Sequence, residues 1–389
     1  MSEEHEMSEE EQGRRSHNPP PIHGVPTSVT VFIGRAEKGP LNKPVQCLSP
    51  ETFDDHFTEV GPYFDLARAV RLFFTNGGRE CNVVRVANRE NPNAAPAPND
   101  YRDALDTLAI ELPEFNLMAI PHDPGVDNAT RREIHRLASR YCRDKRAFLL
   151  IDAPPEWAGL VDVQDTWSDL GVARQREGLA LESCAMFYPR VLVEEEGQEV
   201  PVGASGALAG LIARFDRKKG MWTPPAGRKA TILGLTQLEH KTTEEDATMF
   251  ASEGVCVLRN IPEAIVSWGG RTMAGHTSSW WKFIPVRRLA IWVERSLKGG
   301  TTWVANEPND PLLWQALQKN LDDFMMKLWK VGALEGKKKA QAYFVRCDDT
   351  TTTPNLIELN MVRFHVGFAP VRPEEFMVLE FTQPCGRVM

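Results

Sequence analysis

The side chains that could carry out hydrolysis are few and lie far apart in the sequence. Asp152 closes the apolar run Phe148–Asp152, and in α/β enzymes a carboxylate at the end of a buried strand often belongs to the active site. His122 follows a second apolar run, and Ser205 lies in the string GASG at 203–206. A serine, a histidine and an aspartate suit nucleophilic hydrolysis, in which the histidine takes the proton of the serine hydroxyl.

The spacing of these residues argues against that chemistry. GASG is one residue shorter than the GxSxG nucleophile elbow, and GRTMA at 270–274 resembles a subtilase serine motif without its serine. No set of nucleophile, base and orienting residue can be assembled from these strings. The sequence instead predicts that Asp152 ends a strand and that Ser205 caps the helix that follows it.

Motifs for other chemistry are not found. Neither GxxxxGK[ST] nor GxGxxG occurs, so nucleotide hydrolysis is not predicted. The seven cysteines and nine histidines are dispersed and form no CxxC pair. We therefore expect no metal, no cofactor and no enzymatic activity, and we expect reduced thiols in a protein folded in the cytosol.

Length and charge narrow the class of protein further. A chain of 389 residues predicts two or three domains. No apolar run approaches the roughly 18 residues that span a bilayer, so no direct membrane insertion is expected. The acidic N-terminus is unlike a secretory signal peptide.

The net charge of −8 belongs to one end of the chain. Residues 1–12 hold six glutamates and no lysine or arginine, which leaves 47 acidic and 45 basic side chains elsewhere. A body this close to neutral argues against a nucleic-acid partner, because such binding needs concentrated positive charge.

The pattern of apolar residues predicts an α/β fold. Strands are predicted at 27–33, 82–86, 115–120 and 148–152, and helices at 101–108 and 130–142 lie between them. This alternation predicts a parallel or mixed sheet covered by helices. A helix-rich block follows from about residue 255, with a long helix opened by Asp310. The final apolar run, Glu375 to Phe381, has no later element to cover it.

Tryptophan is concentrated in the second half of the chain. Five of the ten tryptophans lie between Trp268 and Trp303, and Trp314 and Trp329 follow. Such clustering is typical both of a core and of a protein interface, and the sequence does not separate the two.

Short strings along the chain resemble contractile tail sheath proteins, the family of phage tail sheaths, R-type pyocins and extracellular contractile injection systems. The resemblance runs from about residue 22 to 383 and is densest in the C-terminal third. The strings that carry it are GVPTSV at 24–29, FIGRA at 32–36, GPLNKP at 39–44, AVRLFFTNGG at 69–78, WGGRT at 268–272, VRRL at 286–289, WVANEPN at 303–309, LWKVGALEG at 328–336, FVRCDDTT at 344–351 and APVRPEEF at 369–376.

This resemblance implies a structural subunit. Sheath subunits form stacked hexameric rings around an inner tube, and contraction drives the tube through a target envelope. The implied fold is α/β, or α+β overall, with a subtilisin-like α/β middle region that lacks a triad, a C-terminal α/β sheath domain and extended terminal arms. The domains expected here are a disordered acidic arm at 1–24, an N-terminal segment at 25–99, the subtilisin-like region at 100–255, the C-terminal domain at 256–372 and an arm strand at 373–389.

The resemblance also implies binding residues and partners. The arms of the family add strands to sheets of neighbouring subunits, so the C-terminal run is expected to do the same. The family turns its C-terminal domain inward, which implies that exposed lysines of this region face an acidic tube. The expected partners are copies of the chain, the inner tube, baseplate and terminal cap proteins and sheath paralogues, in a phage tail-like particle assembled in the cytoplasm. The arm residues are Phe376, Met377, Val378, Leu379, Glu380 and Phe381, and the tube-facing residues are Lys319, Lys327, Lys330, Lys337, Lys338 and Lys339.

One departure from the family leaves two alternatives open. The N-terminal arm of the family usually carries an apolar strand, whereas Met1 to His17 is acidic and contains no β-branched or aromatic residue, so it should pair poorly. The chain is therefore either a major sheath subunit or a minor sheath paralogue near the baseplate or cap. YPR at 188–190 also departs from the family, which usually has Trp after the proline. The competing class is a degenerate subtilase-like hydrolase, which requires a serine, a histidine and an aspartate to converge.

Overall fold

The computed structural model describes residues 19–59, 64–91, 94–159, 171–277, 280–371 and 377–386. Its contacts divide the chain into two compact units, which we call the central unit and the terminal unit. The central unit is Pro26–Ile291, and the terminal unit combines Met1–Val25 with Trp292–Met389.

The strands and helices alternate along the central unit, as the sequence predicts. The strands of the whole chain are β1 Thr30–Gly34, β2 Pro44–Cys47, β3 Cys81–Arg85, β4 Leu117–Ala119, β5 Phe148–Asp152, β6 Cys184–Tyr188, β7 Val191–Glu195, β8 Gln198–Val202, β9 Gln237–Leu238, β10 Val255–Ile261, β11 Ala264–Ser267, β12 Tyr343–Arg346, β13 Met361–Phe368 and β14 Met377–Pro384.

Helices separate most of these strands. The α-helices are α1 Pro50–Phe57, α2 Asp65–Thr75, α3 Pro98–Glu111, α4 Asn128–Asp144, α5 Val172–Arg176, α6 Ser205–Lys219, α7 Glu244–Ser252, α8 Ile284–Gly300, α9 Pro311–Lys330, α10 Lys339–Ala342 and α11 Pro354–Glu358. Short 3₁₀ turns cover Pro155–Gly159, Leu181–Ser183, Met273–His276, Trp280–Lys282 and Thr302–Asn306.

An eight-stranded sheet organises the central unit, in the order β11-β10-β6-β5-β4-β1-β3-β2. The strands from β10 to β3 run parallel, and the two edge strands β11 and β2 are antiparallel to their neighbours. Parallel strands are buried on both faces, and β1 and β5 are accordingly buried at every residue. This sheet confirms the predicted α/β class.

Helices cover both faces of the sheet. Phe32 of β1 packs in a core with α2 and α6, whereas Val31 and Ile33 pack in a second core with α3 and α4. Two glycines let α2 and α6 approach closely: a Cβ on Gly206 would lie 2.2 Å from the carbonyl oxygen of Ala69, and one on Gly210 equally close to that of Phe73. These close contacts hold the first two turns of α6 against α2.

A small sheet of β8, β7 and β9 extends the central unit. Its hairpin is not predicted from the sequence, because Val191–Glu195 and Gln198–Val202 are rich in glutamate and carry no clear apolar alternation. Its turn places Glu196 and Gly197 at φ 52° and 80°, the geometry of a tight two-residue hairpin turn.

The terminal unit combines the long helix α9 with a three-stranded antiparallel sheet. The sheet order is β12-β13-β14, and β13 pairs with β14 over its whole length and with β12 from His365 to Phe368. Helix α9 begins as predicted, because Asp310 Oδ1 accepts the backbone N–H of Leu313 at 2.9 Å. No helix among the described residues has the length and apolar character required to cross a membrane.

Candidate functional site

Ser205 and Asp152 meet at the carboxyl end of β5. The backbone N–H of Ser205 donates to Asp152 Oδ1 at 2.7 Å, and its hydroxyl donates to Oδ2 at 2.8 Å. Gly203 leaves the room for this contact, since a Cβ there would lie 2.1 Å from the carboxyl carbon. Burial raises the pKa of Asp152 to about 6, although the hydrogen bonds from Ser205 act in the opposite direction.

This geometry corrects the predicted role of Ser205. It is the first residue of α6 and not its cap, and the N-cap residue Ala204 has no capping side chain. The carboxylate of Asp152 supplies the missing acceptor from the end of β5, and it also accepts a hydrogen bond from the serine hydroxyl. Ser205 is fully buried and Asp152 is 5% exposed, so the serine hydroxyl is enclosed at this contact.

A small cavity lies beside Asp152 and is lined by His122, His135 and Arg131 among others. Its volume is about 20 Å³, which is room for roughly one water molecule. Burial first and the charge of Arg131 second lower the pKa of His122 to about 4 and that of His135 to about 3. The structure thus places His122 and Asp152 around one cavity that is too small for a peptide or ester substrate.

The C-terminal strand β14 pairs with β13 of the same chain over Met377–Pro384. Met377 and Phe381 are buried, and Val378 and Glu380 are exposed, which is the alternation of a strand with one covered face. Five of the six predicted arm residues therefore lie in this strand, and Phe376 lies outside the described residues.

Side chains hold β14 on both of its faces. Phe381 stacks on Phe364 of β13 on the covered face. On the exposed face the carboxylate of Glu380 accepts a hydrogen bond from His365 Nε2 at 3.1 Å. Its other oxygen lies 3.5 Å from Arg363 Nε. Because β14 ends the order β12-β13-β14, its second edge has no strand partner among the described residues. An open edge of this kind can pair with a strand of another chain.

The run 20–25 is packed on the terminal unit, so the predicted disordered arm at 1–24 does not hold for its described part. Asn320 Nδ2 donates to the carbonyl of Pro20 at 3.0 Å, and Trp292 Nε1 donates to the carbonyl of Val25 at 2.7 Å. Ile22 is 4% exposed. Helical residues about 270 to 300 positions away make these contacts, and no local pattern in the run reveals them. Residues 1–18 lie outside the described residues.

The six predicted tube-facing lysines are all exposed. Lys319, Lys327 and Lys330 lie on α9, and Lys337–Lys339 follow its end. Trp329 Nε1 donates to the carbonyl of Gly336 at 2.9 Å, which folds the following turn back toward the end of the helix. Lys339 is paired with Asp322 at 2.6 Å. The remaining five lysines have no acidic partner among the described residues.

The clustered tryptophans are not fully buried core residues, and all but Trp280 are half-buried. All seven between Trp268 and Trp329 retain some exposure, and Trp280 is 45% exposed. Trp292 stacks on Phe324 with ring centroids 5.6 Å apart. The sequence left core and interface open, and the structure gives a half-buried set in which individual rings secure neighbouring segments.

Comparison with known proteins gives one consistent result. Residues 276–383 match the family model described as the phage tail sheath C-terminal domain. The tail sheath protein of Burkholderia phage BcepMu is 28% identical over 163 residues, or 39% of this chain. That match spans 34% of the length of the phage protein.

Solved sheath structures match nearly the whole chain. The helical sheath of the anti-feeding prophage in its contracted state is 27% identical with a TM-score of 0.74, covering 95% of this chain and 97% of that chain. The contracted PVC sheath complex of an extracellular contractile injection system is 22% identical with a TM-score of 0.72, over 95% and 96% of the two chains. The sheath tail protein of Listeria innocua shares the fold at 10% identity, with a TM-score of 0.64 over 93% and 96%.

The fold of this chain is that of the contractile sheath proteins, with a central α/β unit and an open-edged terminal sheet. Residues 276–383 match the phage tail sheath C-terminal domain, and the resemblance of the chain to contractile tail sheath proteins is confirmed. The family and structural neighbours are structural sheath proteins.

Proposed function

We propose that the chain is a structural sheath subunit of a phage-like contractile injection system. Its copies form stacked hexameric rings around an inner tube, and contraction of the stack drives the tube through a target envelope. The observation that carries this proposal is the near-complete match to the contracted helical sheath of the anti-feeding prophage. The subunit acts in a phage tail-like particle that is assembled in the cytoplasm and can be released from the cell.

The terminal strand supplies the link between copies. β14 is joined to the rest of the chain through residues 372–376, and its described partners are all residues that every copy carries. A strand that leaves β13 of its own chain can therefore pair with β13 of a neighbour and recover the same contacts. Such an exchange costs little free energy, because the bonds that are lost are formed again. It would hold rings together by backbone hydrogen bonds while the central units rotate.

Electron microscopy of the chain expressed alone tests the sheath role. Rods or stacked rings are the expected result, because a sheath subunit carries both halves of its own interface. As a control, the same preparation is imaged in denaturant and again after refolding. Ordered polymers should dissolve and form again, whereas aggregates should not. A chain that stays monomeric at every concentration and salt condition contradicts self-assembly.

A second candidate is a minor sheath paralogue at the baseplate or cap end of the same machine. The composition of Met1 to His17 favours it, because a strand-donating arm needs β-branched or aromatic residues. A chain of the anti-feeding prophage baseplate also matches, with 27% identity and a TM-score of 0.73. Quantitative mass spectrometry of purified particles separates the two roles. A major subunit matches the inner tube in copy number, whereas a minor one is a small fraction of it.

The lysines of the terminal unit are the proposed contact with the tube. Lys319, Lys327 and Lys330 on α9 and Lys337–Lys339 after it present positive charge on exposed side chains. An acidic tube surface would attract them through charges that salt can screen, which leaves the contact reversible during contraction. Baseplate and cap proteins and sheath paralogues complete the proposed set of partners.

The role that we propose is structural and not catalytic. The hydroxyl of Ser205 is committed to Asp152, and the cavity beside it has a volume of about 20 Å³. A fluorophosphonate probe tests the competing hydrolase. We expect no labelling of the intact protein under conditions in which a serine hydrolase added to the same reaction mixture is labelled. Labelling of the natural chain that is lost in the Ser205→Ala variant would support the hydrolase hypothesis.

A further inference from the structure

A basic groove lies at the C-terminal end of α6 in the central unit, and no function has yet been assigned to it. Arg214, Lys218 and Lys219 of α6 line it together with Lys229 of the following loop, and its volume is about 350 Å³. Arg217 and Arg79 line an adjoining groove of about 530 Å³. We call this surface the α6 groove, defined by Arg79, Arg214, Arg217, Lys218, Lys219 and Lys229.

The charges of the α6 groove are not balanced by acidic neighbours. None of its six residues forms an ion pair with an acidic side chain in the part of the chain that the structure describes. Arg217 instead donates to the carbonyl of Gly77 at 3.1 Å, and Lys219 lies 4.2 Å from the ring centroid of Phe215. The nearby Asp216 is already paired with the buried Arg288 at 2.6 Å.

Besides Asp216, which is paired with Arg288, Glu80 is an acidic residue that lines the adjoining groove. It accepts a hydrogen bond from Gln46 at 3.3 Å and does not pair with the arginines. With the Asp216–Arg288 pair set aside, the six basic residues of the two grooves stand against Glu80, which leaves an excess of five positive charges. Outside residues 1–12 the chain carries 47 acidic and 45 basic side chains, so a local excess of positive charge is unusual for it.

The helix dipole accounts for only part of this arrangement. Basic residues in a last turn interact favourably with the free carbonyls of a helix C-terminus, which explains Arg217, Lys218 and Lys219. It does not explain Arg79, which lines the adjoining groove, or Lys229, which lines the first groove, because both come from other segments. Burial and then the charge of Arg217 lower the pKa of Arg214, as expected where like charges are gathered.

We propose that the α6 groove docks the glutamate-rich N-terminal segment of a second copy of this chain. Residues 3–11 carry six glutamates and no lysine or arginine, and no other stretch of this length in the chain is so acidic. Charge attraction needs no β-forming residues, so it suits a segment whose composition disfavours strand pairing. The choice of a second copy rests on the proposed self-assembly.

The length and attachment of the segment agree with this docking. Extended chain spans at most about 3.6 Å per residue, so residues 3–11 reach roughly 30 Å and can lie along both grooves. The segment continues into Pro20, which Asn320 holds on the terminal unit at 3.0 Å. A tether that begins at a fixed point raises the effective concentration of the segment near a neighbouring copy.

Zero-length cross-linking tests the docking on the full-length protein. A carbodiimide is added to an equal mixture of ¹⁵N-labelled and unlabelled protein, and joined peptides are identified by mass spectrometry. We expect carboxylates of residues 3–11 to be joined to Lys218, Lys219 and Lys229, in peptides that combine labelled with unlabelled chains. The yield should fall with added salt, because screening weakens exposed charge pairs.

Charge reversal provides the matched controls. Lys218→Glu with Lys219→Glu should reduce the remaining cross-links to Lys229 about tenfold, since like charges repel across a contact. Lys43→Glu with Lys241→Glu makes the same charge change at exposed lysines outside the groove and should leave the yield unchanged. Adding Glu9→Lys, Glu10→Lys and Glu11→Lys to the groove variant should restore the cross-links with the opposite polarity.

The outcomes separate this proposal from the sheath role. Cross-links spread evenly over exposed lysines, confined to one copy, or directed to Lys337–Lys339 would overturn docking in the α6 groove. Rods seen by electron microscopy without groove cross-links would overturn the docking and leave the sheath role intact. Groove cross-links between copies that form no rods would support the docking and count against the sheath role.

Discussion

Phe364 of β13 and Phe381 of β14 stack with ring centroids 4.9 Å apart and 11° between their planes. Aromatic pairs across neighbouring strands stabilise a sheet beyond the area they bury. The pair therefore fixes both the register and the attachment of the C-terminal strand. Since every copy carries both residues, the same stack can form within one chain or between two, which is the property that strand exchange requires.

Deletion of residues 376–389 should leave a folded protein that no longer polymerises. The deleted residues contribute the strand β14 and its contacts to β13, whereas the central unit keeps its sheet and both of its cores. Circular dichroism should show retained secondary structure, and negative-stain microscopy should show no rods. Normal rods from the shortened protein would remove β14 from the proposed interface.

A point variant examines the same interface without removing the strand. Phe381→Ala should weaken β14 by about 3 kcal/mol, because the stack on Phe364 is lost and a cavity remains. Thr382→Ala is the matched control, since Thr382 is exposed on the same strand. Rod yield against protein concentration measures the effect. Equal yields from the two variants would show that the stack does not hold copies together.

Neutralising the lysines of the terminal unit should strip the tube from the sheath. Lys327→Gln, Lys330→Gln, Lys337→Gln and Lys338→Gln remove exposed charges that have no acidic partner among the described residues. Co-sedimentation with purified tube protein should fall, while sheath-only polymers persist. Lys43→Gln with Lys241→Gln, in the central unit, serves as the control. Undiminished co-sedimentation would exclude these lysines from the tube contact.

Asp152 should make folding less favourable as the pH rises from about 4 to about 6. Burial raises its pKa from 3.8 to about 6, so the folded protein binds its proton over a range where the unfolded chain has released it. The stabilisation present below pH 3.8 is lost as the pH rises through 6. A shift of this size corresponds to about 3 kcal/mol at 1.36 kcal/mol per pKa unit.

Denaturant unfolding of Asp152→Asn at pH 4.5 and pH 7 measures this contribution. The variant should lose much of the pH dependence, so its stability relative to the natural chain improves at pH 7. Asp127→Asn should behave in the opposite sense. Hydrogen bonds from Thr130 lower the pKa of that helix-capping carboxylate, and its contribution is lost as the pH falls. Parallel pH profiles for the two variants would contradict both assignments.

Gly24→Ala should loosen the N-terminal run from the terminal unit. A Cβ at this position would lie 2.1 Å from a ring carbon of Trp292, whose indole N–H holds the carbonyl of Val25. We expect a cost of about 1 to 3 kcal/mol from overpacking. Gly299→Ala is the matched control, because a Cβ there meets nothing within 4 Å. Hydrogen exchange of residues 22–29 should increase in the first variant and stay unchanged in the second.

Some of the fold follows from short stretches of sequence. The apolar runs of β1, β3, β4 and β5 and the helix opened by Asp310 were predicted, because periodicity and caps depend on residues a few positions apart. The pairing of Asp152 with Ser205 was not predicted, since 53 residues separate them and the carboxylate reaches across from β5 to α6. The packing of residues 20–25 was missed for the same reason.

The sequence by itself determined the α/β alternation, the incomplete hydrolase motifs and the strings that resemble sheath proteins, all of which lie in contiguous residues. Tertiary structure alone decided which distant side chains meet. The order of strands in the sheet brings Asp152 to the start of α6, and the turn after α6 brings Lys229 beside Lys218. It also left one edge of β14 open, because whether an edge is covered depends on how all strands of the sheet are ordered.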